Sequence, residues 1–315
     1  MQIRIFHYEP DKKFYLRSEF VEDQRPGVGF PAHSTDVLPP FDSVREGTIP
    51  VFNGTSWDVV EDTFWRPKII QIGYDAGRIP ESYAPIHLSM YSGHFPQYPS
   101  MPQLCNTFSV TQSIIQRVRL IHEKFSLISE LQDLAKSNDL YGVPIDSPKY
   151  ERLALLPTTW YRHKFEIETM VYLMRRVLDN LVQLSYLLTN YSDFDRTKII
   201  AYNEIGKFAD EESATTDIEK IIVGDGATYE QDNTRFLEVI NGLFNSFKHC
   251  LMHDESNSLI GLEAPIVTSF QAKSNNYNNE IVHHIHSMHH IMMGFQDSVL
   301  RILKNQRTYQ KTRSV

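Results

Sequence analysis

Five histidines, His283, His284, His286, His289 and His290, crowd one short segment near the C-terminus, and His249 and His253 stand four residues apart upstream of it. Imidazole is the commonest transition-metal ligand, and residues four apart on a helix project from one face. Two such pairs on facing helices, His249 with His253 and His286 with His290, would offer four nitrogens to zinc or a related ion. The competing reading gives the core side to Ile285, Met288 and Met292. It leaves the histidines on flanking, partly wet positions where they satisfy hydrogen bonds. No His-Glu-x-x-His pattern of a zinc protease occurs. Gly224-Asp225-Gly226 lacks the Gly-Lys-Thr that would hold phosphates, and no Gly-x-Ser-x-Gly elbow is present. The carboxylate run Asp210-Glu211-Glu212 lies in a polar stretch and reads as solvated surface. Nothing in the sequence calls for a cofactor.

The elements that must position these residues change character along the chain. Through about Pro102 the sequence is crowded with Pro, Gly, Asp and aromatics, including Arg25-Pro26-Gly27 and Leu38-Pro39-Pro40, which excludes long helices. Short extended runs occur at Ile3–Tyr8, Ile49–Phe52 and Trp57–Val60. Phe52 and Trp57 flank Asn53-Gly54, a dipeptide that favours a tight hairpin because both residues accept positive φ. Residues 67–102 show little periodicity and read as a proline-rich connector on the surface of its neighbours.

Beyond Pro102 the period becomes helical. Ile114, Val118, Ile121, Phe125, Ile128, Gln132 and Ala135 advance in steps of four and three. So do Ile167, Val171, Met174, Leu178, Leu181, Ser185 and Leu188; Phe236, Ile240, Leu243, Phe247 and Cys250; and Ile281, Ile285, Met288, Met292, Phe295, Val299 and Ile302. Four such stripes must bury themselves against one another, and an antiparallel bundle does so most simply. Gly142, Pro144 and Pro148 break the chain between the first two helices. The stretch from Asn190 to Asn233 reads as loop with one short helix around Thr216 to Val223. The expected architecture is α+β and mainly α: a β-rich module over 1–66, a connector over 67–102 and a helical bundle over 103–315.

The 315 residues, 41% of them apolar, suffice for a substantial core. A net charge of −8 argues against nucleic acid as the principal partner, while leaving room for a local basic patch. Cys105 and Cys250 are far apart and form no C-x-x-C pair, so neither a disulfide framework nor a cysteine zinc site is indicated, and a reducing compartment is expected. The N-terminus lacks the apolar core of a signal peptide, and no run reaches the length of a membrane span.

Phe6-His7-Tyr8-Glu9-Pro10-Asp11 with Phe14, Pro31-Ala32-His33-Ser34-Thr35-Asp36 with Pro39-Pro40, then Gly47, Pro50-Val51-Phe52-Asn53-Gly54 and Trp57-Asp58-Val59-Val60-Glu61-Asp62 resemble the N-terminal module of bacteriophage tail fibre and tail-fibre-assembly proteins. The likeness covers about residues 3–62. It departs at the end, where Thr63-Phe64-Trp65 replaces the Asp-His-Arg-Gly turn with which that family often closes the module. The resemblance implies a virion component or assembly factor, located in the virion or host cytoplasm, acting on tail or tail-fibre proteins without catalysis. Tail parts are arranged symmetrically, so a homo-oligomer is expected. Within the module Phe52 and Trp57 are the candidate binding residues, or the heart of a small hydrophobic core.

Phe244-Asn245-Ser246-Phe247-Lys248-His249 and Arg175-Arg176-Val177-Leu178-Asp179-Asn180 are similar to segments of HEPN-superfamily bundles. Many of those proteins are ribonucleases with an Arg-x4-6-His motif. Arg117 and His122 stand at that spacing here, which would make His122 the general acid or base and Arg117 the phosphate ligand. The alternative function is thus an RNA-cleaving or nucleotide-binding toxin or defence protein of a prophage. The plainer reading of the pair is a solvated helix edge.

Overall fold

The computed structural model describes residues 2–22, 30–63, 68–77, 85, 87–99, 107–137, 156–192, 204–209, 214–250, 253, 264–272 and 280–313. It is mixed α/β, about 52% helical and 21% strand. The chain divides into two compact units, 1–66 and 67–315.

In the first unit, β1 (Gln2–Tyr8) is the central strand of an antiparallel sheet, between β2 (Tyr15–Glu22) and the short β3 (Ser34–Thr35). A second antiparallel pair joins β4 (Thr48–Phe52) to β5 (Trp57–Glu61) and sets Phe52 directly opposite Trp57. The hairpin stands where Asn53-Gly54 placed it, but the connection has four residues. Gly54 alone in it takes positive φ, at +107°. The Asn53 side chain accepts from the backbone N–H of Thr55 (3.0 Å) and Ser56 (2.9 Å), so the turn is closed by a side chain that mimics backbone.

The inward residues of these strands are aromatic. Phe6, Phe52 and Trp57 are buried together, with Tyr8 and Tyr15 packed around them. Tyr8 stacks on Phe52 at 5.0 Å, and the Trp57 indole N–H donates to Val37 O at 2.7 Å. That bond satisfies the one polar atom of a buried indole.

The second unit is built on two long helices. Between the short α1 (Leu88–Ser92) and α4 (Asp217–Ile222) run α2 (Thr107–Ser137) and α3 (Leu156–Thr189), which pack along one another; α5 (Phe236–His249) and α6 (Met288–Arg313) also pack on α3. The stripes read from the sequence are the ones buried. Ile114, Val118, Ile121 and Ile128 of α2 meet Val171, Met174, Leu178 and Leu181 of α3 in a common core with Phe236, Ile240 and Leu243. Each such side chain contributes about 1.5–3 kcal/mol when fully withdrawn from water. The short α4 falls where expected. Thr216 caps it by accepting from Glu219 N–H, and the Glu219 carboxylate accepts in return from Thr216 N–H.

Two expectations require correction. Ile281 to Ser287 is not the first turns of a fourth helix; it is β8 (Glu280–Ser287), and α6 begins at Met288. Nor is 67–102 only a connector. Lys68–Ile72 forms β6, paired parallel to β8, while β7 (Ile266–Ala272) pairs antiparallel on its other side, giving the order β6-β8-β7. Beyond β6, Tyr74, Ala76 and Tyr91 enter the same core as the helices. The helical unit therefore closes with a three-stranded sheet.

No described helix is long and apolar enough to cross a membrane. Pro26, Gly27, Phe64, Trp65, Cys105, Gly142, Pro144, Pro148 and the run Asp210-Glu211-Glu212 lie outside the described residues.

Candidate functional site

Among the described residues, a connected grouping of chemistry-bearing side chains lies between α3 and the β7–β8 pair. Lys164, Ile167 and Glu168 follow the i, i+3, i+4 spacing of one face of α3. His253 sits between that helix and the sheet: its Nε2 is 2.9 Å from Glu168 Oε1, its Nδ1 is 2.9 Å from Ser269 Oγ, and Lys164 Nζ donates to its carbonyl at 3.1 Å. Phe247 packs over the imidazole at 4.6 Å between ring centres. An ionised carboxylate only accepts, so Nε2 carries a proton toward Glu168, and Nδ1 shares a hydrogen bond with the Ser269 hydroxyl.

Ser269 faces His284 across the strand pair. His284 Nε2 lies 2.9 Å from Gln271 Oε1, and its Nδ1 lies 3.0 Å from His286 Nε2. Burial holds the His284 imidazole down at about 4 and that of His286 at about 3, each further lowered by a neighbouring histidine, so both are neutral at pH 7. Gln271 Oε1 accepts, which fixes the proton of His284 on Nε2 and makes its Nδ1 an acceptor for His286 Nε2–H. The remaining Nδ1 of His286 is buried with no partner among the described residues. Mid-helix Gly242 lets α5 approach this pair. A Cβ there would lie 3.2 Å from His284 Cε1 and 3.3 Å from Gln271 Oε1.

The hydroxyl, imidazole and carboxylate succeed one another as in a hydrolytic triad. Access is missing. Ser269 is 0% exposed, and the adjoining cavity, lined by Lys164, Glu168, Phe247, His253, Val267 and Thr268, measures about 10 Å³, the room of one water. In this geometry the relay clamps His253 between α3 and β7.

The candidate metal quartet is dispersed. His249 is exposed at the end of α5, and His253 and His286 belong to the two networks above. His290 accepts at Nδ1 from Ala76 N–H at 3.0 Å, with Asp75 3.4 Å away. The i, i+4 relation of His286 to His290 fails because one is on a strand and the other on a helix. Among the described residues no group of three or more His, Cys, Asp or Glu could hold a metal ion.

Arg117 and His122 share α2 but not a face, since five residues of helix leave them about 140° apart. Arg117 donates to Ser113 Oγ at 2.6 Å, and burial followed by the nearby Arg176 lowers its pKa. His122 is half-buried, and desolvation lowers its pKa. The structure does not bring the two to one point.

Phe52 and Trp57 are core, not surface, because each fills the cross-strand gap of its hairpin. The exposed apolar residues of the first unit are others. Phe20 is 66% and Leu38 64% exposed, with Leu16 and Phe41 also uncovered. The Arg4 guanidinium bridges from the buried Phe6 ring (5.4 Å) to Phe20 (5.8 Å).

Sequence reasoning passed over Glu168, Ser269 and Gln271, which are ordinary polar residues until two strands and a helix meet. It also passed over His163, which is fully buried, has no partner at either ring nitrogen among the described residues and is held by desolvation at about 4. Its place beside Lys164, on the inner side of a helix whose outer side carries Tyr161 and Phe165, was the available signal. Comparison of the chain with family models, with curated proteins and with solved structures found no match.

Proposed function

We propose that this chain is a non-enzymatic, phage tail-associated protein, a virion component or fibre-assembly factor, whose N-terminal unit docks on a tail or tail-fibre protein. Helices α2, α3, α5 and α6 act in this reading as an antiparallel bundle scaffold. The observation that carries it is the surface of the first unit: β2 lies at an edge of its sheet and displays Phe20 and Leu16, while Leu38 and Phe41 stand exposed nearby in sequence to the Trp57 contact. A small module that leaves several large apolar side chains in water has surface to bury against another chain, and an edge strand supplies unpaired backbone for it. The sealed Ser269 hydroxyl and the separation of Arg117 from His122 weigh toward binding and away from catalysis.

The test is association. The full-length chain, incubated with purified tail-fibre proteins of its phage, should co-elute with them by size exclusion and light scattering. Phe20→Asp and Leu38→Asp should abolish co-elution while leaving far-UV circular dichroism unchanged. Absence of the chain from purified virions and from fibre-assembly intermediates refutes the proposal.

A further inference from the structure

An amphipathic helix normally turns charged and polar side chains to solvent. The outward stripe of α3 does not. Tyr161, Phe165 and Tyr172 are 57%, 54% and 54% exposed, and they follow one another with the exposed Thr169 and Arg176 along one line of the helix. Tyr161 stacks on Phe165 at 5.9 Å with 29° between the rings, and Tyr172 lies over Phe244 of α5 at 6.1 Å and 30°. The rings thus form two near-parallel platforms on the surface.

Cations surround them. Arg162 and Arg176 are exposed on α3, Arg117 flanks Tyr172 from α2, and Lys248 reaches over Phe244 at 6.0 Å. Among the described residues none of these four has a carboxylate partner. Of the acidic groups nearby, Glu166 pairs with Lys124 and Asp179 with Arg175 and the Ile205 N–H; Asp179 also feels Arg176, and Glu204 acts on Arg175. Arg176 stands close enough to Arg117 to disfavour its charge, a cost that an anion between them would relieve. This basic, aromatic face stands out on a chain whose net charge is −8.

From this we infer that the exposed face of α3, with its flanks on α2 and α5, binds single-stranded nucleic acid. Bases stack on Tyr161–Phe165 and Tyr172–Phe244, and Arg117, Arg162, Arg176 and Lys248 meet the phosphates. A second copy of the chain fits less well. A two-fold axis through the middle of the stripe, at Thr169, would set Arg162 of one copy against Arg176 of the other, like charge on like. An extended strand that repeats a flat ring and a negative charge matches both features of the face. The inference does not depend on the docking of the N-terminal unit.

The experiment is fluorescence anisotropy of labelled 15-mer oligothymidine and oligouridine with the full-length protein, against a duplex of the same length. With three or four phosphates neutralised, raising salt from 50 to 200 mM should weaken single-strand binding about 20- to 50-fold. Tyr172→Ala and Phe165→Ala should each weaken it about tenfold or more. Arg176→Gln should weaken it and flatten the salt dependence by about one unit of slope. All three positions are solvent-facing, and circular dichroism will verify that the variants stay folded. No binding at 50 mM salt overturns the inference. So does duplex bound as tightly as single strand, or a wild-type dimer that Tyr172→Ala dissociates in the absence of any oligonucleotide affinity.

Discussion

Gly294→Ala tests whether the segment after β6 is structural core. Gly294 lies in α6, and a Cβ there would overlap the Tyr74 hydroxyl and come within 2.5 Å of Phe236 Cδ2 and 2.9 Å of Tyr74 Cε1. Carbon atoms are at ease near 3.5–4.0 Å, so the rings must retreat by about 1 Å. Tyr74 has little freedom to do so: its ring packs on Phe236 at 5.5 Å and its hydroxyl donates to Thr234 Oγ1 at 3.0 Å. Overpacking of this kind costs about 1–3 kcal/mol, and loss of the hydroxyl bond adds about 1 kcal/mol. Better helix propensity returns about 1 kcal/mol. The net, about 2 kcal/mol, should lower the melting temperature of a unit this size by about 4–8 °C. Calorimetry or urea titration followed by circular dichroism measures it. Tyr74→Phe removes the nearest clashing atom, so Gly294→Ala should cost at least about 0.5 kcal/mol less in that background. An unchanged or raised melting temperature in the single variant would refute the packing of Tyr74 against α6, and with it the inclusion of residues after Ile72 in the core.

Other perturbations follow from the same contacts. His284 and His286, held at about 4 and about 3, stay neutral in the fold while the unfolded chain protonates near 6.5. The stability they allow is therefore complete above pH 6.5 and declines as pH falls from there, toward 4 for His284 and toward 3 for His286, by about 2 kcal/mol for each at pH 5. Urea midpoints at pH 7 and pH 5 should differ accordingly, and His286→Asn should reduce the difference. Trp57→Phe deletes the bond to Val37 O and part of a small core, and should destabilise the first unit by about 1–3 kcal/mol. The urea midpoint of the first unit, followed by near-ultraviolet circular dichroism of its tyrosines, should fall while the helical signal stays intact. Thr216→Ala removes the N-cap and its reciprocal bond from α4 and should cost about 1 kcal/mol in a thermal melt.

What became visible without a structure was the part governed by local periodicity. Helix stripes such as Ile114–Ile128 and Ile167–Leu181 repeat often enough that only a helix puts them on one side, and Phe52 and Trp57 frame a hairpin because Asn53 and Gly54 can make its turn. The candidate site was not legible. Glu168, His253 and Ser269 are brought together from three separate elements, and a hydrogen bond between distant residues leaves no spacing to read.

The segment 281–302 shows where the two sources divide. Its apolar residues satisfy a helical period throughout, and the six β-branched and histidine residues at its start, Ile281 to His286, satisfy a strand equally well. Sequence alone determined that this segment is buried and that Met288 onward is helical. Only tertiary structure decided that Glu280–Ser287 is the middle strand of a sheet, because a central strand exists only when edges come to it on both sides. Those edges are Lys68–Ile72 and Ile266–Ala272, and the first lies so far back along the chain that no local window contains both halves of the ladder.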